Sequence, residues 1–106
     1  MTLLEGVDSL EIDSEGQFLY AASSKANAIT LFKITSATGT LTHIDNYLDG
    51  TKGVDGLKNV SDLEISPDQN YLYAAGYGED SVSVFSRNAT SGVLTFIKSY
   101  KEIPDS

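Results

Sequence analysis

Two glutamates, Glu11 and Glu64, are the most regular candidates for chemistry in this sequence. Each stands between apolar neighbours, in Leu10-Glu11-Ile12 and Leu63-Glu64-Ile65, and this alternation is typical of a half-buried strand. Several such strands around a channel would form a ring of carboxylates. Like charges in such a ring raise one another's pKa, and carboxylate oxygens can hold a cation. The alternatives are that each carboxylate accepts hydrogen bonds from backbone amides of a neighbouring sheet, or that it is solvated in the channel.

His43 is the only histidine, and the chain contains no cysteine. A histidine can serve as a general base or a metal ligand, but His43 aligns with Phe96 in the repeat described below, which favours a side chain that fills an aromatic position. Without cysteine, a disulfide framework and a thiolate metal site are excluded. A serine hydrolase triad within the chain would have to use His43 as its base.

Four acids lie in glycine-rich loops, where calcium is a candidate ligand: Asp49, Asp55, Glu79 and Asp80. The segment DGTKGVDG lacks the ligand spacing of a known calcium loop, so solvated loop acids are favoured. The sequence therefore assigns no catalytic residue, no cofactor-binding residue and no metal ligand, and no cofactor is expected. Glu11 and Glu64 remain as speculative channel carboxylates.

The positions of these residues follow from an internal repeat. The segments Val7–Phe32 and Val60–Phe85 align without a gap at a spacing of 53 residues, and 15 of the 44 positions aligned between Leu4–Tyr47 and Leu57–Tyr100 are identical. Self-similarity at a fixed period of this size indicates a repeat architecture.

Each repeat predicts four short strands and no helix. In the first repeat these are Val7–Ile12, Phe18–Ala22, Ala28–Ile34 and Thr40–Leu48, and the equivalents of the last three are Tyr71–Ala75, Ser81–Ser86 and Val93–Lys101. Val82 and Val84 alternate with Ser83 and Phe85, so the two pairs are predicted on opposite faces. Pro67 is expected at the second position of a turn, with Ser14 at the same place in the first repeat. Phe32 and Phe85 are both expected to be buried between the sheets.

Composition limits the classes of partner. The chain has 106 residues, 41% of them hydrophobic, and a net charge of −8. So acidic a surface repels phosphate backbones, which disfavours nucleic-acid binding. No apolar run approaches the roughly 20 residues that span a bilayer, and the first residues carry acids where a signal peptide needs basic residues.

The second repeat resembles the blades of seven-bladed, 6-phosphogluconolactonase-like propellers of the lactonase type. The resemblance rests on Ser66-Pro67-Asp68, Leu72-Tyr73-Ala74-Ala75, the run Ser81–Arg87 (SVSVFSR) and Ser91-Gly92-Val93-Leu94-Thr95. The first repeat is similar but has Asp13-Ser14-Glu15-Gly16 at the turn. The linker Gly53–Leu57 also resembles linkers in long bacterial surface proteins that carry arrays of such blades. The location stays open, with an extracellular or cell-surface one favoured over a cytoplasmic one.

The resemblance implies an all-β fold of two four-stranded antiparallel β-propeller blades, residues 1–53 with the connecting loop and residues 54–106. Two blades leave two faces uncovered, so the chain is expected either to complete a closed propeller by self-association, with three or four chains, or to be an excerpt of a longer propeller. The function expected is a structural or binding scaffold and not an enzyme. The alternative is a building block or remnant of a lactonase-like hydrolase whose site forms between chains. A small molecule or a protein ligand is left open as a second partner. The alternative to propeller blades is an eight-stranded sandwich or barrel within one chain.

Overall fold

The computed structural model describes residues 3–101, which form two four-stranded antiparallel sheets. Each sheet is a meander in which strands adjacent in sequence are adjacent in space, so the prediction of two antiparallel four-stranded units is confirmed. Sheet 1 contains β1 (Val7–Ile12), β2 (Phe18–Ser23), β3 (Ala28–Thr35) and β4 (Thr40–Leu48), and sheet 2 contains β5 (Val60–Ile65), β6 (Tyr71–Gly76), β7 (Ser81–Arg87) and β8 (Leu94–Lys101).

Strand register sorts the apolar residues of each sheet onto two faces, because successive side chains of a strand point to opposite sides. One face, here called the leucine face, carries Leu10, Ile12, Leu19, Phe32 and Leu41 in sheet 1 and Leu63, Ile65, Leu72, Phe85 and Leu94 in sheet 2. The other, called the tyrosine face, carries Phe18, Tyr20, Ile29, Leu31 and Tyr47 in sheet 1 and Tyr71, Tyr73, Val82, Val84 and Tyr100 in sheet 2.

The two sheets stack head to tail, with the tyrosine face of sheet 1 on the leucine face of sheet 2. Their side chains form one continuous core, which also includes Val54 and Leu57 of the connecting segment and Val60 at the start of β5. Phe85 is fully buried in this core, as predicted. The prediction for Phe32 was wrong: it is only half-buried, because it lies on the leucine face of sheet 1, which has no sheet against it.

The turns that lead into β2 and β6 have the predicted geometry. The amide of Gln69 donates to the carbonyl of Ser66 over 2.8 Å, which places Pro67 at the second turn position, and the amide of Gly16 donates in the same way to Asp13. The fourth residue of each turn has a positive φ, 69° in both cases. A glycine occupies this position in the first repeat because it adopts that backbone conformation without strain.

The segment between Leu48 and Val60 returns the chain from the last strand of sheet 1 to the first strand of sheet 2. It contains the predicted boundary between units at residues 53 and 54, while residues 1–2 and 102–106 of those units lie outside the described range. A single 3₁₀ turn, Tyr77–Glu79, interrupts the strands. Within residues 3–101 no helix has the length and apolar character needed to cross a membrane.

Candidate functional site

The joint between the two sheets is the best-developed site in the chain. Its apolar part pairs large side chains across the gap: the rings of Tyr47 and Phe85 meet edge to face with 6.1 Å between centroids. Phe85 meets Phe96 in the same way at 5.5 Å. Tyr20, Leu31, Leu72 and Phe85 are fully excluded from solvent, so this joint has the packing of a protein interior.

A buried ion pair crosses the joint at one end. Nη2 of Arg87 lies 2.7 Å from Oδ2 of Asp13, and the two side chains are only 1% and 4% exposed. Arg87 also donates through Nε to the hydroxyl of Tyr20 over 2.9 Å and through Nη1 to the carbonyl of Gln69 over 3.0 Å. The other carboxylate oxygen of Asp13 accepts from the amides of Gln17 and Phe18. Each charge is therefore hydrogen-bonded on several sides, which a buried pair requires.

Two tyrosine hydroxyls from sheet 1 bond to the backbone of sheet 2. The hydroxyl of Tyr20 donates to the carbonyl of Gly92, and that of Tyr47 accepts from the amide of Leu94 over 2.9 Å. Burial raises the pKa of Tyr47 to about 12, and burial likewise raises the pKa of Tyr20, against the opposing effect of Arg87. Both phenols are therefore neutral at physiological pH and act as fixed hydrogen-bonding groups.

The channel candidates Glu11 and Glu64 lie on the first strands of the two sheets, β1 and β5. Oε2 of Glu11 accepts a long hydrogen bond, 3.4 Å, from the amide of Ile65 in the neighbouring sheet, which is the backbone contact that the sequence offered as an alternative to a cation site. Partial burial raises the pKa of Glu11, and the charges of Glu64 and Asp62 raise it further. The inner acids are thus close enough to influence one another.

Three of the four loop acids come together on the surface. Carboxylate oxygens of Asp49, Asp55 and Glu79 lie within 4.8 Å of one another. Nζ of Lys101 sits 2.9 Å from Asp55 and 3.3 Å from Glu79, and its hydrogen bond lowers the pKa of Asp55. The ammonium group of Lys101 thus pairs with two of the three clustered carboxylates. Asp49 in turn accepts from the amide of Leu57 and anchors the connecting segment.

His43 is exposed on β4. Its ring lies edge to face with Phe32, 6.0 Å between centroids, in the way that Phe96 meets Phe85 in sheet 2. Nε2 is paired with the side-chain amide oxygen of Asn46 at 2.6 Å. The imidazole therefore fills an aromatic position of the repeat.

Sequence reasoning missed the partners of two of these groups. Arg87 was visible as the last residue of the Val-Phe-x-Arg run, but nothing in the repeat pointed to Asp13 as its counter-ion. The sequence predicted Lys101 only as the last residue of the final strand. Its contact with the loop acids Asp55 and Glu79 depends on the path of the connecting segment.

The remaining two faces of the stack have no sheet against them. The leucine face of sheet 1 exposes Leu10 to 60% and Ile12 to 52%, and the tyrosine face of sheet 2 exposes Tyr100 to 57% and Val82 to 46%. In each case the equivalent residue of the other sheet belongs to the buried core. Contiguous exposed apolar surface of this kind is typical of an interaction site.

Comparison with known sequences agrees with this arrangement. A family model described as "Lactonase, 7-bladed beta-propeller" matches residues 8–55 and again residues 49–104. An uncharacterised protein of Staphylococcus saprophyticus is 27% identical over 103 residues, which is 94% of this chain and 29% of that protein. The chain therefore spans less than a third of the length of this relative.

Solved structures show the same fold. The periplasmic gluconolactonase of Pseudomonas aeruginosa superimposes with a TM-score of 0.78 at 21% identity, over 90% of this chain and 25% of that one. A candidate 6-phosphogluconolactonase of Bacteroides fragilis gives 0.72 at 28% identity, over 90% and 25%. A protein of Lactobacillus plantarum gives 0.78 at 23%, over 95% and 29%. The two sheets thus have the mutual arrangement of neighbouring propeller blades.

Proposed function

Because the chain belongs to the lactonase family of seven-bladed β-propellers, we propose that it is a structural and binding scaffold that completes a closed propeller with further copies of itself. One observation carries the proposal. The two faces left uncovered are one leucine face and one tyrosine face, the same two kinds of surface that pack together inside the chain. Contact between unlike faces is head-to-tail, and such contacts close into rings when the rotation allows.

The number of copies follows from blade geometry. Propellers close with about four to eight blades, and each copy adds two, so closed rings hold an even number. Three or four copies give six or eight blades, on either side of the seven that names the family. Two copies would require the largest wedge angle between blades and are disfavoured for that reason.

A second function, hydrolysis of a lactone at a site between chains, draws support from one feature. The charges of Glu64 and Asp62 contribute to the raised pKa of Glu11, and closure would bring more copies of these acids around one axis. The fold neighbour from Pseudomonas aeruginosa is named a periplasmic gluconolactonase, which suggests sugar lactones as test substrates. That neighbour, together with the linker resemblance, also supports an extracellular or cell-surface location.

Light scattering of the purified chain at micromolar concentration tests the scaffold proposal. We expect a mass three or four times the 11.4 kDa of one chain. A single-chain mass combined with a cooperative melt would refute it. Incubation of the same sample with gluconolactone, compared with a Glu11→Gln/Glu64→Gln variant, tests the hydrolase: hydrolysis above the spontaneous rate that disappears in the variant would favour that function.

A further inference from the structure

We infer that a second copy docks its leucine face of sheet 1 onto the tyrosine face of sheet 2 by repeating the hydrogen bonds of the joint inside the chain, but without the buried ion pair. This inference rests on the proposed self-association and specifies its contacts. The two uncovered faces carry at equivalent positions most of the groups that the internal joint uses, so the internal joint serves as a template for the contact between copies.

The apolar part of the template is nearly complete. On the leucine face, Leu10, Ile12, Leu19, Phe32 and Leu41 are identical to their equivalents Leu63, Ile65, Leu72, Phe85 and Leu94, and His43 replaces Phe96. On the tyrosine face, Tyr20 and Tyr47 are matched by identical residues, and Phe18, Ile29 and Leu31 are replaced by Tyr71, Val82 and Val84. The internal contact of Tyr47 with Phe85 predicts a contact of Tyr100 with Phe32 of the next copy.

Two phenol hydroxyls are placed to bond across the new contact. Inside the chain, Tyr47 accepts from the amide of Leu94, and Tyr20 donates to the carbonyl of Gly92. The equivalent pairs between copies join the hydroxyl of Tyr100 to the amide of Leu41, and the hydroxyl of Tyr73 to the carbonyl of Gly39. Tyr100 and Tyr73 are both exposed in the single chain, so these hydroxyls are accessible to a second copy.

The open space at Gly39 shows most clearly where a side chain of a second copy would pack. At Gly92, an added Cβ would lie 2.7 Å from the ring of Phe18, because that ring packs directly on the glycine. At Gly39 the backbone has the same positive φ, 75° against 78°, yet nothing lies within 4 Å of the added Cβ. The space is the one that Tyr71 of a second copy, the equivalent of Phe18, would fill.

The ion pair is the part that does not recur. Ile34 stands at the position of Arg87 and Ser66 at the position of Asp13, so the contact between copies contains no buried charge at this end. Each chain also carries a net charge of −8, and added salt screens repulsion between like-charged copies. Assembly should therefore persist or strengthen as salt is raised.

Paired variants test these contacts. Gly39→Asn places a side chain in the vacant space, and asparagine tolerates the backbone there because Asn27 and Asn59 of this chain already have φ near 55°. Gly53→Asn is the matched control, since Gly53 also has a positive φ and open space around its Cβ but lies in the connecting segment. We expect Gly39→Asn to reduce the mass to that of one chain and Gly53→Asn to leave the assembly intact.

Tyr100→Phe provides a second, milder variant, because it removes one hydroxyl from a surface that is exposed in the single chain. We expect association to weaken roughly tenfold for each contact that loses a hydrogen bond. The melt of the dissociated chain should not change. Tyr47→Phe, the control in the internal joint, should instead destabilise the dissociated chain itself.

The outcomes separate this inference from the proposed function. A wild-type protein that stays at the mass of one chain in both low and high salt overturns both. A wild-type assembly that survives Gly39→Asn and Tyr100→Phe unchanged overturns only the docking arrangement. Should Gly39→Asn fail to fold, Tyr100→Phe alone decides, because an unchanged dissociation constant in that variant refutes the contact with Leu41.

Discussion

Replacing Arg87 by isoleucine should be among the most damaging single changes in the chain. The variant leaves the carboxylate of Asp13 buried and without its counter-ion, and it also removes the donors to Tyr20 and to the carbonyl of Gln69. Loss of one partner of a buried ion pair costs about 3–5 kcal/mol. Since small domains are stable by only about 5–15 kcal/mol, Arg87→Ile should unfold over a much lower range of urea.

The first repeat supplies the compensating change. It carries Ile34 where the second repeat has Arg87, and the second repeat carries Ser66 where the first has Asp13. The double variant Arg87→Ile/Asp13→Ser copies this neutral combination into the internal joint, and a serine there can still accept from the amide of Phe18, as Ser66 accepts from Tyr71 over 3.1 Å.

We expect the double variant to recover about 2 kcal/mol or more of the loss, because replacing a whole buried pair by neutral groups is often nearly neutral. Urea unfolding at several protein concentrations measures the four members of this cycle and separates folding from assembly. Two results would contradict the reasoning: a cost below about 1 kcal/mol for Arg87→Ile, or additive losses in the double variant.

Three further changes have defined outcomes. Glu11→Gln keeps an acceptor but cannot ionise. Because burial raises the pKa of Glu11 in the folded chain, its ionisation opposes folding at pH values above its unfolded-state pKa. The variant should therefore have the higher urea midpoint at pH 7 and lose this advantage below the ordinary glutamate pKa of about 4.5. Ser14→Pro should not stabilise the turn as proline usually does at this position, since the amide of Ser14 donates to Gln69 over 3.0 Å; a rise in melting temperature would show that this exposed bond contributes nothing. Phe85→Ala should cost about 3–5 kcal/mol, whereas Phe32→Ala should cost less in the dissociated chain because Phe32 is only half-buried; equal losses by thermal melting would argue against the assignment of faces.

The repeat made most of the fold predictable. A fixed spacing of 53 residues and the alternation around Val82 and Phe85 were enough to predict eight strands in two sheets. The seven strands whose ends were predicted begin and end within one residue of those observed. The sequence could not say which of two equivalent residues is covered. Phe32 and Phe85 occupy the same register, and only their places in the stack make one exposed and the other buried.

The polar contacts of the joint were not predictable for a related reason. Asp13 and Arg87 lie 74 residues apart, and neither has a charged equivalent in the other repeat, so the pattern that revealed the strands gave no signal for the pair. The same holds for Lys101, which reaches Asp55 only because the connecting segment folds back beside the last strand. Repeats predict what recurs, and these contacts occur once.

The segment Asp49–Asn59 has a consequence for how genes encoding such chains change in length. It carries the chain from the last strand of one sheet to the first strand of the next, so a duplication of 53 codons inserts a whole sheet together with its own connection. No existing strand is displaced, and the new joint uses faces that already match. A tandem duplication thus changes the number of copies that a ring needs. A synthetic chain of three units should close six blades with two copies, because propellers close with about four to eight blades, and its mass would reveal this. Growth by whole units would lengthen such a chain without shifting an existing boundary between sheets.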